Sequence, residues 1–97
     1  MDYHSSRWKL KRKRILKRDK YLCYECNRYG KRRDATTAHH IYPAEEYPEY
    51  EWCDWNLISL CGKCHDKMHD RTNGKLTVEG ERLKRVADRR RTGAPPL

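Results

Sequence analysis

Two Cys-x-x-Cys pairs constrain the fold of this chain more than any other feature. The pairs are Cys23 with Cys26 and Cys61 with Cys64. Four thiolates spaced in this way suit a closed tetrahedral zinc site. A chain of 97 residues buries too little surface for an apolar core alone to carry its stability, so a structural metal is expected on energetic grounds. We therefore predict one structural Zn²⁺ bound by all four cysteines.

The cysteines are expected to bind metal rather than to form disulfides. The N-terminus turns basic at once, and no apolar stretch is long enough for a signal peptide or a membrane span. We therefore expect an intracellular, cytoplasmic protein that does not associate with membranes. In a reducing compartment, paired Cys-x-x-Cys motifs are more often metal ligands than disulfides. The fifth cysteine, Cys53, is interpreted as a small buried hydrophobic residue.

Positive charge is concentrated in blocks along the chain. The formal net charge is +9, and the basic residues cluster in residues 1–20, 31–33 and 82–91. Such blocks suit a polyphosphate partner, because neutralising phosphates releases condensed counterions. The alternative is that they are solvated faces that only keep the chain soluble. Charge alone does not separate these two interpretations.

Hydrophobic patterning predicts a small α+β domain. A helix capped by Ser5 or Ser6 should run to about residue 20. Two short strands over residues 35–41 and 57–60 should pair antiparallel, and a helix should begin within the second cysteine pair and reach about residue 70. The expected organisation is a basic helix at 1–20, a zinc-containing core at 21–72, a C-terminal basic helix at 73–91 and a disordered tail at 92–97.

The segment between the two strands, residues 43–55, is acidic and aromatic. It holds five carboxylates and no Lys or Arg, interleaved with two Tyr and two Trp. Such a segment should not lie on a phosphate backbone. We expect its rings to cover the small core and its carboxylates to face solvent or the basic N-terminal helix.

Four histidines fall where they could form a reactive centre. His65 and His69 are four residues apart, so on a helix both would lie on one face and reach the same ion. The hairpin could lay His39 or His40 over that face. Successive strand residues point to opposite faces, so one of these neighbours should bind metal and the other should not. A free imidazole beside a bound phosphate is suited to accept a proton from water.

With these residues in place, the chain resembles the HNH endonucleases, whose ββα-metal motif is a hairpin packed on a helix. The matching segments are residues 38–43, residues 56–61, and Cys64-His65 with His69. The resemblance covers about residues 20–72 and is closest to the small four-cysteine members of phages and mobile elements. It implies a ββα-metal core with flanking basic helices, and a metal-dependent DNA endonuclease that nicks or cuts both strands.

The resemblance also implies roles for individual residues. His40 would be the general base, His39 a ligand of the catalytic metal, and Asn56 the residue that fixes the loop or polarises His40. His65 would be a further ligand or a phosphate contact. Many members have Asp in place of His39, and in some of those the Asn binds the ion.

A three-imidazole version, as in colicin-type nucleases, would make His39, His65 and His69 the ligands of one catalytic divalent ion. Its identity is open among Mg²⁺, Mn²⁺, Ni²⁺ and Zn²⁺. For a nuclease we expect DNA as the partner and a monomeric state, with phage packaging (terminase) machinery as one setting. The residues expected to contact phosphate are Arg12, Lys13, Arg14, Lys31, Arg32 and Arg33.

A rival hypothesis comes from a different class of protein. A non-catalytic, zinc-containing nucleic-acid-binding module would explain the charge and the cysteines equally well, with the histidines only supporting the fold. It does not explain why the histidines and Asn56 fall in this order. Metal stoichiometry separates the two, because the binding module needs one tightly held ion and the nuclease needs a second, exchangeable one.

Overall fold

The computed structural model describes residues 1–93 and has the predicted small α+β architecture, with two short strands surrounded by helices. The strands pair antiparallel, with Thr37 opposite Leu60 and His40 opposite Leu57. The elements in chain order are α1 (Ser6–Arg18), α2 (Tyr24–Arg28), β1 (Thr37–His40), β2 (Leu57–Leu60), α3 (Gly62–Asp66) and α4 (Val78–Thr92), with 3-10 turns at Pro48–Tyr50 and Asp54–Asn56.

The hairpin is stable because helices cover it. A two-stranded hairpin is marginal on its own in water. Here α1 packs on both strands, and α2 and α3 pack on β2. All four residues of β2 are buried. Ile58 and Leu60 belong to a core cluster that also contains the four paired cysteines and residues of α4. Leu57 belongs to a second cluster, with Trp8 and Ile15 of α1.

Helix α1 has clear end signals. The Ser5 hydroxyl oxygen accepts a hydrogen bond from the Trp8 N–H at 3.1 Å, as expected of a helix N-cap. The helix ends at Arg18 with Asp19 as its cap, and Lys20 and Tyr21 follow with φ angles of 56° and 59°. The helix is therefore slightly shorter than the predicted span to residue 20.

The acidic segment docks on α1 through Asp54. The Asp54 carboxylate pairs with Lys11 and, at 3.4 Å, with Arg14. The Arg18 guanidinium also donates to the Asp54 carbonyl oxygen at 2.8 Å. This confirms the predicted contact between the acidic segment and the basic N-terminal helix.

The predicted helix through His69 is wrong. Helix α3 ends at Asp66, and His69 instead forms an isolated bridge with Leu76. Further along, the Asp70 carboxylate accepts from the N–H and hydroxyl of Thr72, and the Asp70 N–H donates to the Lys75 carbonyl, so the chain turns here rather than continuing as a helix. These side-chain bonds offer the backbone an alternative to the helix.

The last helix begins at Val78, where the Thr77 hydroxyl accepts from the Gly80 N–H, and it includes Thr92. Gly93 ends it in a left-handed conformation with φ of 72°. Residues 92 and 93 are therefore helix and cap rather than tail, and the rest of the expected tail, residues 94–97, lies outside the described residues. No helix within residues 1–93 is long and apolar enough to span a bilayer.

Candidate active site

The four paired cysteines converge in a buried cluster. Cys23 and Cys61 immediately precede α2 and α3, and Cys26 and Cys64 lie within those helices. The Cys26 sulfur lies 3.9 Å from that of Cys61 and 3.7 Å from that of Cys64. A tetrahedral ion with Zn–S bonds of about 2.3 Å requires sulfurs about 3.8 Å apart, so these distances fit zinc.

His39, His65 and His69 form a second cluster of potential ligands. The ring centroid of His39 lies 5.2 Å from that of His65 and 5.5 Å from that of His69. One nitrogen of each ring lies within 4.8 Å of the others. His39 is 1% exposed, and its Nε2 is a buried atom without a hydrogen-bond partner in residues 1–93. An unpaired buried nitrogen is costly, so this donor set fits an ion.

Burial favours the neutral form of His39 and His65. Desolvation, and then the positive charge that His65, His69 and His40 can carry, lowers the pKa of His39 from 6.5 to about 3. Burial and the neighbouring His69 also lower the pKa of His65. Neutral imidazole is the form that binds a metal, so near neutral pH the pair is ready to bind without first losing protons.

His40 points to different neighbours from His39, as the strand alternation predicted. Its ring stacks on Trp8, and its Nε2 lies 3.0 Å from the Glu51 carbonyl oxygen. A carbonyl oxygen can only accept, so Nε2 carries the hydrogen and Nδ1 keeps its lone pair. Burial lowers the pKa of His40, although the contact with Glu51 acts in the opposite direction. The result is a neutral imidazole able to accept a proton at Nδ1.

Asn56 holds the loop that carries Glu51. Its Oδ1 accepts from the Tyr42 N–H at 2.7 Å, and its Nδ2 donates to the carbonyl oxygens of Tyr42 at 3.0 Å and Tyr50 at 3.2 Å. These bonds clamp the two ends of the acidic segment together. Of the two roles considered for Asn56, its side-chain contacts match loop fixation, and its hydrogen bonds do not include His40.

One cleft of about 610 Å³ brings the histidines together. His39, His40, His65 and His69 all line it, and so does Arg12 of α1. Although α3 ends before it, His69 lies in the lining of the cleft, at the point where its backbone forms the bridge with Leu76. Lys13 and Arg14 lie further along α1, and Lys31, Arg32 and Arg33 are exposed residues of the segment between α2 and β1, outside the lining of the cleft.

Sequence reasoning missed three contributors to this site. Trp8 was given no role in the site, but it stacks on His40, and Tyr3 packs edge-on against both rings. The Glu51 carbonyl sets the His40 tautomer. None of these leaves a local signal, because each depends on a contact between separate parts of the chain.

Comparisons with known proteins point in one direction. A family model described as HNH endonuclease matches residues 23–71, just over half of the 97 residues. Among solved structures, the chain is similar to the HNH endonuclease of the deep-sea thermophilic bacteriophage GVE2, crystallised with manganese ion. The two are 30% identical with a TM-score of 0.63, over 92% of this chain and 79% of the phage protein. No curated protein matches significantly.

Proposed function

Because this chain belongs to the HNH endonuclease family and is a nuclease, we propose that it binds DNA across the cleft and hydrolyses a phosphodiester bond there. The observation that carries the proposal is that the adjacent residues His39 and His40 face different partners and suit different roles. His39 presents an unpaired nitrogen to His65 and His69, and His40 presents a lone pair from a fixed, neutral ring. Family membership favours this over the non-catalytic binding module.

His39, His65 and His69 are the residues we propose to hold a divalent ion. An ion there supplies positive charge that stabilises the scissile phosphate and the leaving oxygen. Three imidazoles suit Mn²⁺, Ni²⁺ or Zn²⁺ better than Mg²⁺, which prefers oxygen ligands. The phage relative was crystallised with manganese ion, and this supports Mn²⁺ as the first ion to test. In the cysteine cluster we propose a structural Zn²⁺.

His40 is proposed as the general base, taking a proton from the attacking water at Nδ1. The Glu51 carbonyl oxygen accepts from Nε2–H and so steadies the positive charge that the ring acquires. Stacking on Trp8 holds the plane of the ring while the proton moves. A positioned general base contributes typically about 10²- to 10⁴-fold in rate, which is the effect expected of this residue.

Arg12 is the cation best placed to hold the substrate in the cleft. It lines the cleft together with His39 and His40. A phosphate bound near these imidazoles would therefore lie close to the Arg12 side chain. Lys13, Arg14 and residues 31–33 are proposed to contact phosphates outside the cleft. The similarity to a phage endonuclease supports a role in phage DNA processing. We propose that the chain acts there as a monomer, with packaging by the terminase as one setting.

Cleavage of supercoiled plasmid tests the proposal. The wild-type protein, loaded with zinc at the cysteine cluster, should nick or linearise plasmid when Mn²⁺, Ni²⁺, Zn²⁺ or Mg²⁺ is added in turn. His40→Ala should lose about 10²-fold or more of the rate. His4→Ala is the matched control, since His4 is exposed and outside the cleft lining, and it should cut like wild type. Undiminished cutting by a folded His40→Ala protein would refute His40 as the base.

A further inference from the structure

A second groove lies beside the catalytic cleft and shares part of its lining. This side groove, of about 650 Å³, has Leu10, Arg12, Lys13, Lys17, Tyr21 and Thr36 among its lining residues. Arg12 and Thr36 also line the cleft. The Arg12 guanidinium donates to the Thr36 carbonyl oxygen at 2.6 Å, which fixes it at the junction. A strand leaving the cleft past Arg12 therefore enters the side groove.

The side groove carries positive charge that the fold leaves uncompensated. Lys13 and Lys17 are exposed, and within residues 1–93 neither forms an ion pair. Arg14 differs, because its guanidinium pairs with Asp54. Lys13 and Lys17 are one helical turn apart, which puts their Cβ atoms about 5–6 Å from each other on one face. Two ammonium groups so placed can bind successive phosphates of one strand.

Tyr21 displays its ring in this groove at a conformational cost. It is 52% exposed, and its φ of 59° is unusual for a bulky residue without glycine's freedom. The backbone holds it there, since the Tyr21 N–H donates to the Leu16 carbonyl at 2.8 Å and its own carbonyl accepts from the Ala35 N–H at 2.7 Å. An exposed aromatic ring among unpaired cations is the combination that binds unpaired nucleotides.

We propose that the side groove binds a single-stranded stretch of the DNA strand that flanks the scissile phosphate. Lys13 and Lys17 contact its phosphates, and one unpaired base stacks on Tyr21. This inference rests on the proposed function, and it names the substrate class: DNA in which a duplex adjoins an unpaired segment. Phosphate contact alone would not require Tyr21, and stacking alone would not require the lysines.

Equilibrium binding tests the inference without requiring cleavage. Fluorescence anisotropy of His40→Ala protein compares a blunt labelled duplex with the same duplex carrying a short single-stranded extension on either strand. The extended duplex should bind about tenfold more tightly, within the range of one stacked base. Adding Tyr21→Gly should abolish this preference. Glycine adopts positive φ readily, so this variant should melt no lower than its parent.

The lysines are tested by the salt dependence of the same binding. Lys13→Ala with Lys17→Ala should reduce the slope of log affinity against log salt by about 1.4, as expected for two single-strand phosphates. Tyr29→Ala and the pair Arg85→Ala with Arg89→Ala are matched controls outside the groove lining, and they should preserve both the preference and most of the slope.

Equal binding of the two duplexes, a preference that survives Tyr21→Gly, or an equal loss of slope in the Arg85/Arg89 control would each overturn the inference. A wild-type protein that never cuts DNA would instead overturn the proposed function. The binding experiment would still test the side groove, because it does not depend on cleavage.

Discussion

Trp8 stacks on the imidazole of His40, with ring centroids 5.1 Å apart and ring planes inclined by 21°. The contact makes the basic N-terminal helix part of the candidate active site. Trp52, from the acidic segment, packs against Trp8, and the Arg7 guanidinium carbon lies 3.8 Å from the centroid of the Trp52 ring. The ring of His40 is thus held between α1 and the acidic segment, and its orientation depends on both.

Replacing Trp8 should therefore lower stability and activity together. Trp8→Ala removes a ring that is only 6% exposed, and a cost of about 3–5 kcal/mol in the free energy of unfolding is expected for a buried aromatic. Trp8→Phe should cost less and keep partial stacking. Single-turnover cleavage, measured under conditions in which both variants are folded, should be slower than wild type in Trp8→Phe and slower still in Trp8→Ala. DNA affinity should be unchanged in both. A folded Trp8→Ala protein that cleaves at the wild-type rate would show that the stacking does not position His40.

Asn56 is expected to act on catalysis through the loop. Asn56→Asp keeps the shape of the side chain but turns a carboxylate oxygen towards the carbonyls of Tyr42 and Tyr50, which now receive hydrogen bonds. Denaturant unfolding should show a loss of about 1–3 kcal/mol or more. Cleavage should fall too, because Glu51 follows Tyr50 and contacts His40. Mn²⁺ binding should be unaffected, and a large loss of Mn²⁺ affinity would identify Asn56 as a ligand instead.

His39 links the stability of the protein without its catalytic ion to pH. Its pKa is 6.5 ordinarily and about 3 in the fold. Between these two pH values, His39 is therefore protonated in the unfolded chain and neutral in the folded chain. The stability from this group is complete above pH 6.5 and is lost as the pH falls from there towards 3. At about 1.4 kcal/mol per pKa unit, the loss reaches several kcal/mol.

Urea unfolding at a series of pH values below 6.5 measures this effect, over the range in which elemental analysis shows that the cysteine cluster keeps its zinc, because acid protonates the thiolates and releases the metal. His39→Gln does not titrate in this range, so its stability should fall less steeply with acid than that of the wild type. Parallel curves for the two proteins would show that His39 is not the group responsible.

The cysteine cluster should determine whether the chain folds. Cys64→Ser removes one of four convergent thiols, so the protein should lose its tightly bound metal and its cooperative unfolding transition. Cys53→Ser is the matched control, because Cys53 lies outside the cluster with its sulfur 3.8 Å from the Glu49 carbonyl oxygen. It should retain one bound ion by elemental analysis and a near-normal melting temperature. Equal metal content in the two variants would contradict the assignment of the cluster.

Much of the fold follows from local patterns in the sequence. The cap at Ser5, the strand at Leu57–Leu60 and the convergence of the cysteine pairs were all predicted, because each depends on residues close together in the chain or on a known ligand spacing. The end of α3 was not, since the spacing of His65 and His69 suited a helix, whereas α3 ends at Asp66 and the chain forms a turn at Asp70.

The contacts that complete the site could not be predicted in the same way. Trp8 on His40 and the Glu51 carbonyl on His40 join parts of the chain that have no shared periodicity. The positive φ of Tyr21 also lacks a sequence signal, because no glycine or asparagine stands there. Local propensity leaves such features open, and tertiary packing decides them.

The most direct test of the central claim is a paired comparison of His39→Ala and His40→Ala, measuring Mn²⁺ binding by calorimetry and single-turnover cleavage of a labelled duplex on the same preparations. We predict that His39→Ala loses both Mn²⁺ affinity and cleavage, whereas His40→Ala binds Mn²⁺ like the wild type and does not cut. Wild-type cleavage by His40→Ala, or the loss of Mn²⁺ binding in that variant alone, would contradict the account.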